Sequence, residues 1–362
     1  MKGLVLRAPE KIEIGDVGCP QAGTGEVLVK VEACGICGSD IPRAYRDGAH
    51  NMPLIIGHEF AGVVEAVGSE VSKEWGGKSV GVFPLIPCMK CDYCKIRKYE
   101  MCSNYSYLGS RRDGGFAEYV SVPEWNLIEL PDCVGFDSAA MMEPMAVAVH
   151  AIRQAFRTKG YDIEDVTELI DKKVVVVGLG TIGLLVVMFL KDLGFKNVYT
   201  IGNKELQKKM VADLGVDEED FCDINVWDEI DWIRGNTNAN GADYLFECVG
   251  NSRSLDACIY GAAPEAVICT VGNPGGDMDL HRHAYWQILR NQLTLVGTWN
   301  SSFTHEDSDD WHYVLARLQQ GAIHPEKLIT HRFLLEDIVE GFEIMRDKKE
   351  AYVKVMAEMM KM

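Results

Sequence analysis

Apolar and polar positions change rhythm twice along this chain of 362 residues. Over 27–33 they alternate with a period of two, the mark of a half-buried strand. Segments 62–67, 79–83 and 116–122 are further short runs of strand-forming residues between glycines and prolines. The pattern predicts a small, barrel-like β domain reaching to about residue 149. From about His150 short apolar runs take over, at 174–177, 198–201, 244–248, 267–271 and 293–296, separated by stretches with helical spacing. That alternation predicts a parallel, doubly wound sheet. After Gly297 the pattern returns to loops, a helix near 311–320, another near 336–346 and a closing strand at 352–356. The expectation is an α/β chain in which 1–149 and 297–362 form a β-rich domain and 150–296 a doubly wound one.

Length agrees with about two domains. The most apolar stretch, 174–190, is shorter than the roughly 18–20 residues of a membrane span and contains three glycines. It reads as a buried strand, a tight turn and a helix. A formal net charge of −18 opposes nucleic acid and acidic membrane surfaces as partners. The first ten residues carry no apolar signal core, and the twelve cysteines do not read as a secreted disulfide framework. A reducing cytoplasm is the expected compartment. Cys19, Cys34, Cys133, Cys222, Cys248, Cys258 and Cys269 have no ligand partner at motif spacing and read as small hydrophobic residues.

The other cysteines carry chemistry. Cys88, Cys91, Cys94 and Cys102 follow C-x2-C-x2-C-x7-C, close enough for one loop to wrap four thiolates around a structural zinc. Cys37, the pair His58-Glu59 and Glu143 form a second set of zinc-compatible residues. A Cys, a His and a carboxylate leave one position free for water or substrate, the layout of a catalytic zinc. Two zinc ions per chain are expected. Glu59 reads equally as a ligand and as a partner of a ligand, and Glu143 also reads as a carboxylate favoured at a helix N-terminus.

Gly178, Gly180 and Gly183 form G-x-G-x-x-G between an apolar run and an apolar helix, with Thr181 and Ile182 opening that helix. This is the dinucleotide-binding turn, although a bare strand-to-helix turn has the same form. An NAD site carries Asp or Glu about 20 residues further on. Here Gly202 stands at that place, followed by Asn203 and Lys204. Without the carboxylate nothing repels a 2′-phosphate, a glycine leaves space for it, and Lys204 offers a positive charge. NADP is therefore the preferred cofactor, with NAD possible if Gly202 is only a turn residue.

Gly57-His58-Glu59-Phe60-Ala61-Gly62, Gly68, Val71 and Cys37-Gly38-Ser39-Asp40 closely resemble the signatures of the zinc-dependent medium-chain alcohol and polyol dehydrogenases. The four-cysteine lobe at 88–102 and the glycine-rich turn follow in that family's order, so the resemblance covers essentially the whole chain. It implies a GroES-like catalytic domain, a Rossmann domain, an active site in the cleft between them and a homodimer or homotetramer. It also implies hydride transfer from a zinc-polarised secondary alcohol to nicotinamide, with Ser39 passing the proton toward solvent. Residue 202 onward is similar to the Gly-Ser-Arg type of NADP site in some alcohol dehydrogenases.

The block Glu143-Pro144-Met145-Ala146-Val147-Ala148-Val149-His150 resembles the sorbitol-dehydrogenase branch, where a glutamate replaces a cysteine ligand. His150 is then a core or cofactor-adjacent residue. Segments 43–59, 109–119 and 297–300 resemble the galactitol-1-phosphate 5-dehydrogenase branch. On that resemblance Arg43, Arg46, His50, Arg111 and Arg112 supply local positive charge for a sugar-alcohol phosphate, and Trp299 and Asn300 touch substrate. Sorbitol-type, ribitol-phosphate and threonine dehydrogenases share the metal and cofactor residues and stay open as readings. So does a non-catalytic zinc and dinucleotide-binding protein.

Overall fold

Val27, Val29 and Val31, the apolar half of the first alternating run, are fully buried along the strand Glu26–Ile36. This is seen in a computed structural model that describes residues 1–359. The strand is the hub of a seven-stranded sheet. It pairs antiparallel with Glu59–Val67, with Tyr119–Pro123 and with Lys354–Glu358. The last of these pairs parallel with Ile329–Leu334. Strands from both ends of the chain therefore complete one sheet, and Met1–Pro144 with Ser302–Met362 form one compact unit. Its core joins Val27, Val29, Phe60, Phe116 and Val355 with Ile338 and Phe342 of the helix Ile338–Asp347.

The hairpin Lys2–Ala8 and Lys11–Asp16 was not legible in the sequence, nor was the half-exposed strand Ile329–Leu334. Both draw their regularity from pairing rather than from a clean alternation. The run expected from residue 116 starts as a strand only at Tyr119, although Phe116 and Ala117 are buried.

The second unit, Met145–Ser301, holds a six-stranded parallel sheet. Its spatial order is Phe221–Asp223, Asn197–Gly202, Lys173–Val177, Ala242–Glu247, Ala262–Thr270, Thr294–Gly297. Strand order therefore reverses between Lys173–Val177 and Ala242–Glu247, and the turns leaving the carboxyl ends of these two strands open a ligand-binding crevice. Val174, Val175 and Val176 are fully buried, as β-branched residues in a central parallel strand should be. The helix Thr181–Asp192 buries every residue from Gly183 to Leu190. It packs close to the preceding strand because residue 183 has no side chain. A Cβ there would lie 1.9 Å from the Gly178 carbonyl oxygen. No helix among the described residues is long and apolar enough to cross a membrane.

Candidate active site and cofactor turn

The long strand delivers Cys37 just past its end at Ile36, and His58 and Glu59 enter at the start of its antiparallel neighbour. Gly57, at φ +101°, makes the bend that brings them in; a Cβ there would collide with Phe116. One ligand atom each from Cys37, His58 and Glu59 lie within 4.8 Å of one another. His58 and Glu59 are buried, at 4% and 1% exposure. Glu143 stands outside that mutually close trio. Its Oε1 accepts a hydrogen bond from the Tyr107 hydroxyl at 3.2 Å.

Two charged neighbours hold this centre in place, and neither was assigned a role from the sequence. Fully buried Asp40 accepts from the Cys37 amide at 3.1 Å, pairs with Arg43 and lies 3.4 Å from His58 Nδ1. Lys354 Nζ donates to Glu59 Oε2 at 2.5 Å and to the Ile36 carbonyl at 3.1 Å. Asp40 was legible as part of C-G-S-D. Lys354 was not, because it lies 295 residues from Glu59 in the chain and arrives through strand pairing. Ser39 Oγ donates to Cys37 Sγ at 3.3 Å.

The protonation pattern follows from this crowding. Burial alone would depress His58, but Asp40 and Cys37 raise it well above the ordinary imidazole value. Burial likewise opposes the charge on Lys354, and Glu59 with Cys37 more than restores it. Glu143 is pushed up to about 7 by burial, with His58 opposing and Glu59 reinforcing. Burial also raises Tyr107 well above a normal phenol. His58 Nδ1 faces Asp40 and is buried. A sulfur, an imidazole nitrogen and a carboxylate within 4.8 Å of one another fit a divalent zinc.

The second cluster is built locally. Cys91 Sγ lies 3.5 Å from Cys94 Sγ and 3.9 Å from Cys102 Sγ, and Cys88 Sγ lies 4.0 Å from Cys94 Sγ. Backbone amides of Cys94 and Ser103 pull Cys91 down to about 5, and burial pushes Cys94 up to about 12. Four sulfurs at this spacing fit a closed tetrathiolate zinc site. All twelve cysteines are free thiols.

The proposed phosphate contacts do not form one cluster. Arg43 is committed to Asp40, Arg46 to Asp47 at 2.7 and 3.0 Å, and Arg112 to Glu26 at 2.6 Å. His50 is exposed. Arg111 stacks over Tyr105 and donates to its carbonyl, and it alone of the four arginines bonds no carboxylate among the described residues. Arg111 and Arg112 line a cavity of about 620 Å³ with Arg7, Leu54 and Asp113. Trp299 is 56% exposed, and Asn300 accepts from the Ser301 amide.

In the second unit Gly178 sits at φ +92° at the carboxyl end of its strand, and Gly180 is the N-cap of the helix that Thr181 and Ile182 open. Gly202 ends the adjacent strand, with Asn203 and Lys204 turning into the helix Glu205–Asp213. The space beside Gly202 is filled, so the glycine does not leave room there for a 2′-phosphate. A Cβ there would lie 2.6 Å from Gln207 Oε1 and 3.0 Å from Leu179 Cδ1. His150 is buried, its Nε2 3.1 Å from Gln154 Nε2.

Residues 23–132 match the alcohol dehydrogenase GroES-like domain, and residues 136–359 match the glucose dehydrogenase C-terminus. Galactitol 1-phosphate 5-dehydrogenase of Escherichia coli (strain K12) is 31% identical over 87% of this chain and 88% of its own length. L-threonine 3-dehydrogenase of Symbiobacterium thermophilum is also 31% identical, over 94% of each chain. The crystal structure of galactitol-1-phosphate dehydrogenase from Escherichia coli superimposes with a TM-score of 0.88 at 28% identity, covering 99% of this chain and 100% of that one.

Proposed function

This chain belongs to the zinc-dependent medium-chain alcohol and polyol dehydrogenases, and from that premise we propose that it oxidises a secondary alcohol of a polyol phosphate with NADP. The observation that carries the reading is the convergence of Cys37, His58 and Glu59 on one point, with Glu143 buried nearby and Asp40 and Lys354 bracing the set. Cys37, His58 and Glu59 would hold the catalytic zinc, and Cys88, Cys91, Cys94 and Cys102 a structural one. When bound, the catalytic zinc lowers the pKa of a coordinated alcohol so that it ionises near neutral pH. Asp40 orients the Cys37 segment through its amide and supports His58. Lys354 neutralises Glu59, so the trio presents less negative charge than its composition suggests. Ser39, one hydrogen bond from Cys37, is placed to hand the substrate proton outward. Gly178, Gly180, Thr181, Ile182 and Gly183 would hold the dinucleotide that accepts the hydride, and Lys204 its 2′-phosphate.

Arg111 is the contact best suited to the substrate phosphate, because no carboxylate neutralises it and its plane is already oriented by Tyr105. A second reading, oxidation of threonine or a free polyol, is favoured by the equal identity to L-threonine 3-dehydrogenase. A panel of free and phosphorylated hexitols and pentitols plus threonine, with both dinucleotides, separates them. Galactitol 1-phosphate should give the highest kcat/KM, and Arg111→Ala should lower it about tenfold without affecting sorbitol. Equal turnover of sorbitol or threonine would refute the phosphate reading.

We also place the enzyme in the cytoplasm as a homo-oligomer. Among the described residues the strand Thr294–Gly297 stands at one edge of the parallel sheet with no strand paired to its outer side. Leu295 on it and Trp286 and Leu289 of the helix Arg282–Arg290 are exposed, a surface suited to a second copy.

A further inference from the structure

Cofactor choice in this fold is made where the second strand of the parallel sheet ends, and there one side chain touches everything of consequence. Gln207 Oε1 accepts from the amides of both Asn203 and Lys204, at 2.9 and 3.2 Å. Its Nε2 donates to the carbonyl of Leu179, the residue between the first two glycines of the dinucleotide turn, at 3.1 Å. The carboxamide thus ties the loop that meets the adenosine ribose to the loop that meets the pyrophosphate. Glycine at 202 is what admits it, since a Cβ would stand 2.6 Å from Oε1.

The same loop is braced from its other side. Asn225 Nδ2 donates to the Asn203 carbonyl at 3.0 Å and to Asp223 Oδ1 at 2.9 Å, and Asp223 is the register partner of Gly202 on the neighbouring strand. Two backbone N–H groups aimed at one oxygen form a seat for an acceptor, and in this chain a neutral amide oxygen occupies it. In the NAD-binding form of the fold, a carboxylate at the end of this strand accepts from the ribose hydroxyls.

We infer that Gln207 is a specificity-determining residue for the dinucleotide: its neutral oxygen holds the Asn203–Lys204 loop in the conformation that meets the ribose, without the charge that would repel a 2′-phosphate. This rests on the reading of residues 202–204 as the ribose-binding loop, and it makes the cofactor preference depend on a residue outside that tripeptide. Gln207→Glu keeps the shape and the two accepted amides but introduces a carboxylate at the seat and gives up the donation to the Leu179 carbonyl. Gln207→Ala frees both amides to donate to a phosphate oxygen.

The test measures kcat/KM with NADP and NAD, and the Kd of NADPH and NADH by fluorescence, for the full-length parent and both variants. Gln207→Glu should move the NADP-to-NAD ratio toward NAD by about tenfold or more, and Gln207→Ala should move it the opposite way by a few-fold. Losses that are equal for the two cofactors in both variants would show a merely structural tie and overturn the inference. If Gln207→Glu does not fold, the ratio in Gln207→Ala decides: an unchanged or NAD-shifted ratio overturns it. The parent ratio tests the NADP preference separately. A parent that favours NAD sinks that preference, yet the variants should still shift in opposite directions if Gln207 sets the discrimination.

Discussion

The two metal-compatible clusters of this enzyme are opposites in construction. Cys88, Cys91, Cys94 and Cys102 come from one short segment, two of them partly exposed and two buried, and backbone amides act on Cys91. Cys37 and the pair His58-Glu59 come from two segments, are set by strand pairing and lie among buried charges from residues 40 and 354. The first arrangement offers four like ligands and leaves nothing for chemistry. The second offers three unlike ligands, and its charge balance belongs to the whole β-rich unit. A closed site therefore needs only spacing, whereas an open site needs a fold that supplies the charges its ligands lack.

That contrast breaks first at Cys37. Cys37→Ser should lower kcat/KM by about a thousandfold or more, since a catalytic metal supplies several kcal/mol of transition-state stabilisation. NADPH binding, measured by fluorescence, should stay within about twofold. A variant with near-parental turnover would remove the open metal centre from the mechanism.

Cys94→Ser should act on folding instead. Losing a ligand of a structural zinc should cost about 4 kcal/mol, read as a Tm lower by about 10 °C and a loss of one bound zinc by metal analysis. An unchanged Tm would mean that the lobe does not depend on its metal.

Lys354→Met sharpens the other half of the comparison. The Lys354 and Glu59 side chains are each about 2% exposed, so in zinc-depleted protein removing the cation strands a buried carboxylate, at a cost of about 3 kcal/mol in urea unfolding. Adding Glu59→Gln to it should restore most of that stability while leaving the enzyme impaired. If the double variant is as unstable as the single one, the pair is not electrostatically coupled.

The smallest effect belongs to the surface of the lobe. Arg97 pairs with Glu306, and both side chains are about half exposed. Arg97→Ala should therefore cost less than about 1 kcal/mol and leave the zinc content unchanged. A loss comparable to that of Cys94→Ser would shift the lobe's stability from its metal to its ion pairs.

What the sequence determined by itself was everything with a short-range signature. The tetracysteine spacing, the glycine-rich turn after a run of valines, and the order of the parallel strands' apolar runs all follow from neighbours a few residues apart. The strand Phe221–Asp223 and the hairpin at residues 2–16 escaped, because strands that are short or lack a clean alternation acquire their regularity only from the strands beside them. Tertiary structure alone decided that Glu59 rather than Glu143 lies in the close trio with Cys37 and His58, that Lys354 answers Glu59, that Arg112 is paired with Glu26, and that Gln207 fills the space beside Gly202. The first three join residues far apart in the chain, and strand register fixes where their side chains end. The last is set by the helix Glu205–Asp213 turning a side chain back over its own N-terminus, a contact whose crowding against Gly202 and Leu179 shows only in space.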